Sequence, residues 1–149
     1  MITILIDANV LVYAHDSSER SKQRRAIDIL DRITAAANGA LSAQVLSEFY
    51  NTVTRKLSPP LTLEQAETQI GYFAALWTVF DVTPRVVLEA ARGARDHQFS
   101  FWDAQIWAVA CLNRVPVVFS EDFNPGTVIE GVRFVNPFAE DFQPEAWGL

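Results

Sequence analysis

Apolar and polar positions fall along this chain in short blocks whose period keeps changing. The first block, Ile2–Ile6, is a run of β-branched and aliphatic residues and reads as a buried strand. From Arg20 to Ala36 the period becomes helical, with Ala26, Ile27, Leu30 and Ile33 recurring on one side, and Asn38-Gly39 stops it. Ala40–Ser42 is a short strand candidate. Ala43–Leu57 reads as a second long helix with a stripe of Val45, Phe49 and Val53, ended by Ser58-Pro59-Pro60. Thr62 can cap a third helix reaching about Trp77, with Glu64 and Gln65 in its first turn. Val79–Val82 follows as a strand. Pro84 then fits the first turn of a helix to about Asp96, and Ser100 opens another to about Asn113. Val115–Phe119 and Val132–Val135 read as the last strands. Strands separated by helices predict an α/β fold with a parallel sheet covered on both faces. Such sheets bind ligands beyond the carboxyl ends of their strands, where the strand order reverses. Functional residues are therefore expected just after strands, or on the helices that follow them.

The bulk properties narrow this picture. A length of 149 residues suits one domain with one core, so 1–149 is expected to be a single unit. Half the residues are apolar and a fifth are charged, which is an ordered globular composition. The lone Cys111 lies in "IWAVACLN" and reads as a structural thiol in an apolar helix. One cysteine permits no internal disulfide, so a reducing, cytoplasmic setting is expected. No basic and apolar leader precedes the first strand, and no apolar run is long enough to span a membrane. The net charge of −6 argues against a protein that grips nucleic acid with a broad basic face.

Four acids fall where the α/β rule directs attention. Asp7 ends the first strand, Glu48 sits at the margin of the second helix's apolar stripe, Asp103 opens the "SFWDAQIWAVAC" helix, and Asp122 follows the strand "VPVVFS". Each has an ordinary reading alone: Asp7 as cap of a short helix at Ala8, Glu48 as a solvated helix residue, Asp103 as part of a capping box with Ser100, Asp122 as turn chemistry. Together they are harder to dismiss, because unshielded like charges repel and something cationic must sit among them. Oxygen-only ligands favour Mg²⁺ or Mn²⁺. A zinc site is disfavoured, since His15, His97 and Cys111 give no spaced ligand set, and His97 reads as a surface or helix-end residue. Carboxylates around such ions suit phosphodiester cleavage, in which bound metal activates a water and offsets charge on the leaving oxygen. The four acids account for −4 of the −6, so bound divalent ions also relieve the conflict with an RNA substrate.

The segments "LIDANVLVYA", "LSEFYNT", "FSFWDAQIWAVA" and "SEDFNPGTVIEGVRFVNPF", in this order, resemble PIN-domain ribonucleases, and among these the VapC-type toxins of toxin–antitoxin pairs. The resemblance runs from Ile4 to Phe138. It implies a PIN-like three-layer α/β/α fold with a five-stranded parallel sheet and a Mg²⁺- or Mn²⁺-dependent endoribonuclease activity. It also implies that Asp7, Glu48, Asp103 and Asp122 are the catalytic and metal-binding acids. Asn9 and Ser120 match polar positions that orient a ligand or a water from behind. Glu121 departs from the family's commoner neighbour and is expected to face solvent. The family usually pairs with a small antitoxin protein and forms a homodimer. The helix face Leu63, Ala66, Ile70, Phe73 and Trp77 is expected to be mostly core, with part of it available for that dimer. Arg20, Lys22, Arg24 and Arg25 are candidate RNA contacts, with a solvated helix face as their ordinary reading.

Two other functions remain to weigh. Phosphoryl-transfer enzymes of the haloacid dehalogenase type also begin with a strand ending in Asp, but they need an acid two residues on, and Asn9 cannot donate as one. A non-catalytic module would use the same acidic pocket only to bind a partner protein, through an arginine.

Overall fold

The computed structural model describes residues 1–149. Strands β1 (Ile4–Ile6), β2 (Gly39–Ser42), β3 (Thr78–Phe80), β4 (Val117–Phe119), β5 (Val128–Ile129) and β6 (Val132–Val135) form one sheet in the order β3-β2-β1-β4-β6-β5. All neighbours pair in parallel except β5 with β6. The five expected parallel strands are therefore present, and a two-residue antiparallel strand is added at one edge. Sequence pattern missed β5 because two residues carry no period, and Val128 faces solvent.

The central strands explain their own composition. Ile4, Leu5 and Ile6 are all fully buried, because helices cover both faces of a parallel sheet. Ile2 lies outside the strand and is exposed, and β4 likewise starts at Val117 rather than Val115. The helices are α1 (Ala8–Tyr13), α2 (Arg20–Ala36), α3 (Ala43–Arg55), α4 (Leu63–Leu76), α5 (Pro84–His97) and α6 (Phe101–Leu112). Ser42, Thr62, Thr83 and Ser100 each cap a helix by accepting a backbone N–H, and Thr62 with Gln65 completes a full capping box. On α2 the buried stripe is Ala26, Ile29, Leu30 and Ile33; Ile27 turns outward. On α4, Ala66 and Phe73 are buried, as is Trp77 just after it, whereas Leu63 is exposed.

One core of 33 buried hydrophobic residues runs from Ile4 to Phe142. Helices α5 and α6 meet within it at Gly93, where a Cβ would lie 2.5 Å from the Trp107 ring. Cys111 is half-buried at the end of α6, and burial pushes its thiol up to about 11, so it is inert at neutral pH. No helix is long and apolar enough to cross a membrane.

The chain passes from β1 outward through β2 and β3, then returns to place β4 on the other side of β1. The order thus reverses between β1 and β4, which makes the gap beyond their carboxyl ends the natural ligand crevice.

Candidate active site

Asp7 and Ser120 are the residues that leave β1 and β4, and they meet at this reversal. The Asp7 amide still donates to the Phe119 carbonyl at 3.0 Å, so the ladder holds Asp7 beside Ser120. Both residues are buried. Asp7 uses its two oxygens differently. One accepts from the Ala8 amide at 2.7 Å and caps α1; the other accepts from the Ser120 hydroxyl at 2.6 Å. The capping role and a site role are therefore compatible.

Asn9 is the second residue of α1, and its amide nitrogen points back across the same crevice. It donates to Ser120 Oγ and Asp122 Oδ2, each at 3.2 Å, with Asp7 Oδ2 at 3.5 Å. Ser120 Oγ in turn accepts from the Asp122 amide at 3.1 Å, which folds the loop after β4 toward Asp7.

Glu48 reaches the crevice from α3. Its carboxylate accepts from Gln44 at 2.8 Å, and Gln44 also donates to the Trp102 carbonyl at 3.1 Å. Gln105 donates to the Gln44 side-chain oxygen at 2.6 Å. This buried amide chain ties α3 to α6, and so ties Glu48 to the helix that carries Asp103. Sequence reasoning missed it. The available signal was two glutamines on otherwise apolar helix faces. On α6 the Asp103 amide donates to Ser100 Oγ at 3.2 Å, half of the expected capping box.

The four acids share one electrostatic field. Burial, opposed by the Ser120 and Ala8 hydrogen bonds and aided by Glu48 and Asp122, pushes Asp7 up to about 7. Burial also raises Glu48, with Asp103 and Asp122 adding to it, and raises Asp103, with Asp122 adding to it. Asp122 is exposed and is the one acid that all three others feel. Asp7, Glu48 and Asp122 line a cleft of about 550 Å³, and Asp103 and Asp122 line an adjoining one of about 340 Å³. None of the four acids is paired with a Lys, Arg or His side chain. No three stand close enough to enclose an ion with the side chains as they are. A donor set made only of carboxylate oxygens, one of them buried without a cation, fits a hard divalent ion such as Mg²⁺ or Mn²⁺.

The basic cluster on α2 divides in two. Lys22 is engaged: it pairs with Glu121 at 3.0 Å and donates to the Tyr13 hydroxyl at 3.2 Å, which itself donates to Glu121 at 2.9 Å. Glu121 is consequently part-buried in an ion pair and does not simply face solvent. Arg20 and Arg24 are exposed, Arg25 lies over the Phe142 ring, and none of them lines either cleft. His97 ends α5, with its Nε2 2.6 Å from Glu130, and it lines the smaller cleft together with Asp103 and Asp122.

Comparison with known proteins follows this geometry. A family model described as PIN domain matches residues 4–125. The remaining segment includes β6 and Phe142, which belong to the same core. No curated protein matches the sequence significantly. Several solved structures share the fold. A toxin–antitoxin complex from Klebsiella pneumoniae aligns with a TM-score of 0.64 at 16% identity, over 91% of this chain and 98% of that one. VapBC2 from Rickettsia felis, bound to a DNA fragment from its promoter, aligns at 0.61 and 16%, over 89% and 97%. VapC20 from Mycobacterium tuberculosis, described as a toxin that cleaves the sarcin–ricin loop, aligns at 0.61 and 18%, over 86% and 98%.

Proposed function

This chain belongs to the PIN-domain family, and on that premise we propose that residues 1–149 act as one PIN domain of the VapC type: a Mg²⁺- or Mn²⁺-dependent endoribonuclease, the toxin of a toxin–antitoxin pair. The observation that supports this reading is that four carboxylates, following β1 and β4 and on α3 and α6, line two clefts that share Asp122, with no basic side chain paired to them. Asp7, Glu48, Asp103 and Asp122 are the residues that would hold the metal. When bound, the metal lowers the pKa of a water and offsets charge on the leaving oxygen. The chain's own groups do the positioning. Ser120 fixes one oxygen of Asp7, and the Ala8 amide fixes the other. Asn9 aims Asp122, and Gln44 aims Glu48. Each contact limits the rotation of the carboxylate it holds.

The structural neighbours include complexes of toxin with antitoxin, which supports a small antitoxin as partner. A module that only binds such a partner through the acidic pocket would need no ion. The experiment that separates the two is cleavage of a mixed RNA pool in Mg²⁺, with EDTA and with Asp7→Asn and Asp103→Asn as controls. Cleavage is expected in Mg²⁺ alone and lost, by at least ~100-fold, in EDTA or in either variant. Cleavage that persists in EDTA or survives both substitutions together would falsify the reading.

A further inference from the structure

The cleft that contains Asp7, Glu48 and Asp122 contains one basic side chain, Lys56. It caps the C-terminus of α3, where the helix dipole favours a cation, and its amide donates to the Thr52 carbonyl. Glu48, Thr52 and Lys56 are spaced four residues apart, so they share one face of α3. Asn51 completes the same wall of the cleft. Eight residues separate Glu48 from Lys56, roughly 12 Å at ~1.5 Å per residue. The helix therefore runs as a graded wall, from a carboxylate at the reaction centre, past a hydroxyl and an amide, to an ammonium.

Lys56 is free in a way that Lys22 is not. It makes no ion pair, whereas Lys22 is held by Glu121 and Tyr13. Asp16, which lines the same cleft, accepts from the Ser18 hydroxyl and amide. An exposed lysine without an ion-pair partner, lining a cleft whose other charged side chains are acidic, suits an anion that enters with the substrate.

We infer that Lys56, with Asn51 and Thr52, forms a phosphate subsite that holds the RNA backbone beside the bond that is cut. This deepens the ribonuclease reading and rests on it. Lys56 is a positioning residue: it sets where the chain lies along α3, while the acids act on the scissile group. It contacts backbone and reads no base, so its contribution is uniform across sequences.

The test separates binding from cleavage. Labelled single-stranded RNA is titrated in Mg²⁺ against the full chain carrying Asp103→Asn, alone and combined with Lys56→Gln, Lys56→Arg or Arg114→Gln. Arg114 precedes β4 at the opposite end of the sheet and serves as a charge control. Lys56→Gln is expected to weaken binding by ~5-fold and to reduce the salt dependence of log K by ~0.7, one phosphate contact on a single strand. Lys56→Arg is expected to restore both, and Arg114→Gln to change neither. In the cleaving enzyme, Lys56→Gln is expected to raise KM with kcat within 2-fold. Equal affinity and salt slope for Lys56→Gln and its parent overturn the subsite, whether or not the enzyme cleaves. An equal loss in Arg114→Gln overturns it as well, by reducing it to net charge. Lys56-dependent RNA binding by a wild-type chain that never cuts sinks the ribonuclease reading and overturns the placement beside a scissile bond, leaving Lys56 a backbone contact only; failure of both the Asp103→Asn parent and the wild type to bind RNA overturns the subsite.

Discussion

Asp7 concentrates the energetics of the site in one carboxyl group. Its protonated form suits the buried position, because charge there is desolvated; Ser120 and Ala8 offset only part of that cost. The folded protein therefore holds the Asp7 proton more tightly than the unfolded chain does. Stability from this group is full below its ordinary value of 3.8 and is lost as pH rises toward about 7. Glu48 and Asp103, also raised, act in the same direction. In EDTA, urea denaturation from pH 5 to 8 should show stability falling as pH rises, and Mg²⁺ should restore it at pH 8. Asp7→Asn should flatten much of that slope. A metal-free wild type whose stability holds or rises across the window would show that the burial of Asp7 is not uncompensated. At this scale the sequence was informative: a carboxylate ending an apolar run stands out. Its cause was less legible. Like charges at the rim suggested mutual repulsion as the cost to be offset, whereas burial is the larger effect on Asp7 and the neighbouring acids add to it. Glu121 was misread for a related reason, since its partner Lys22 lies 99 positions away and no local pattern joins them.

Elements were legible where the period was long, and less so where a tertiary contact decides. The helices from Arg20 onward fall within two residues of their expected bounds, because caps and prolines mark their ends. The apolar stripe of α2 slipped by one side chain, Ile29 replacing Ile27, because both fit a helical period and only the packed neighbours choose. The coupling of α3 to α6 was invisible, since it runs through Gln44 and Gln105, two residues with no signature of their own. Its consequences are testable. Gln44→Ala removes the donor to Glu48 and to the Trp102 carbonyl, and leaves the buried Gln105 amide without its acceptor. A buried polar group stranded in this way costs ~1–3 kcal/mol. The variant should lose that much in urea denaturation and should bind Mg²⁺ ~10-fold more weakly by calorimetry, the scale of a lost orienting contact. A variant as stable as wild type with unchanged Mg²⁺ affinity would mean that α3 and α6 hold their acids independently.

For the whole molecule, the site acids and one group of exposed apolar side chains lie on different elements. The acids collect beyond the carboxyl ends of the strands, while α2 and α4 expose Ile27, Tyr72 and Leu76, three large apolar residues that the core does not use. They border a shallow groove of about 240 Å³ whose floor includes Leu30, Phe73 and Trp77. The face expected from sequence to be mostly core therefore does both jobs: Ala66, Phe73 and Trp77 point inward, and their neighbours on the helix point out. Apolar side chains grouped beside a groove, on a chain with a net charge of −6, mark a surface that association would cover. A second copy docking there would keep the acid crevices open, because that face is built from α2 and α4 rather than from the loops after β1 and β4. The expected homodimer is thus compatible with activity, and it makes a specific demand. Wild type should run as two chains in light scattering at ~10 μM, whereas Tyr72→Glu combined with Leu76→Glu should run as one, with unchanged circular dichroism and unchanged cleavage per chain. Both positions are exposed in the single chain, so neither substitution buries a charge unless the pairing forms. A wild type that is monomeric at that concentration, or a double variant that still pairs, would remove this face from the assembly.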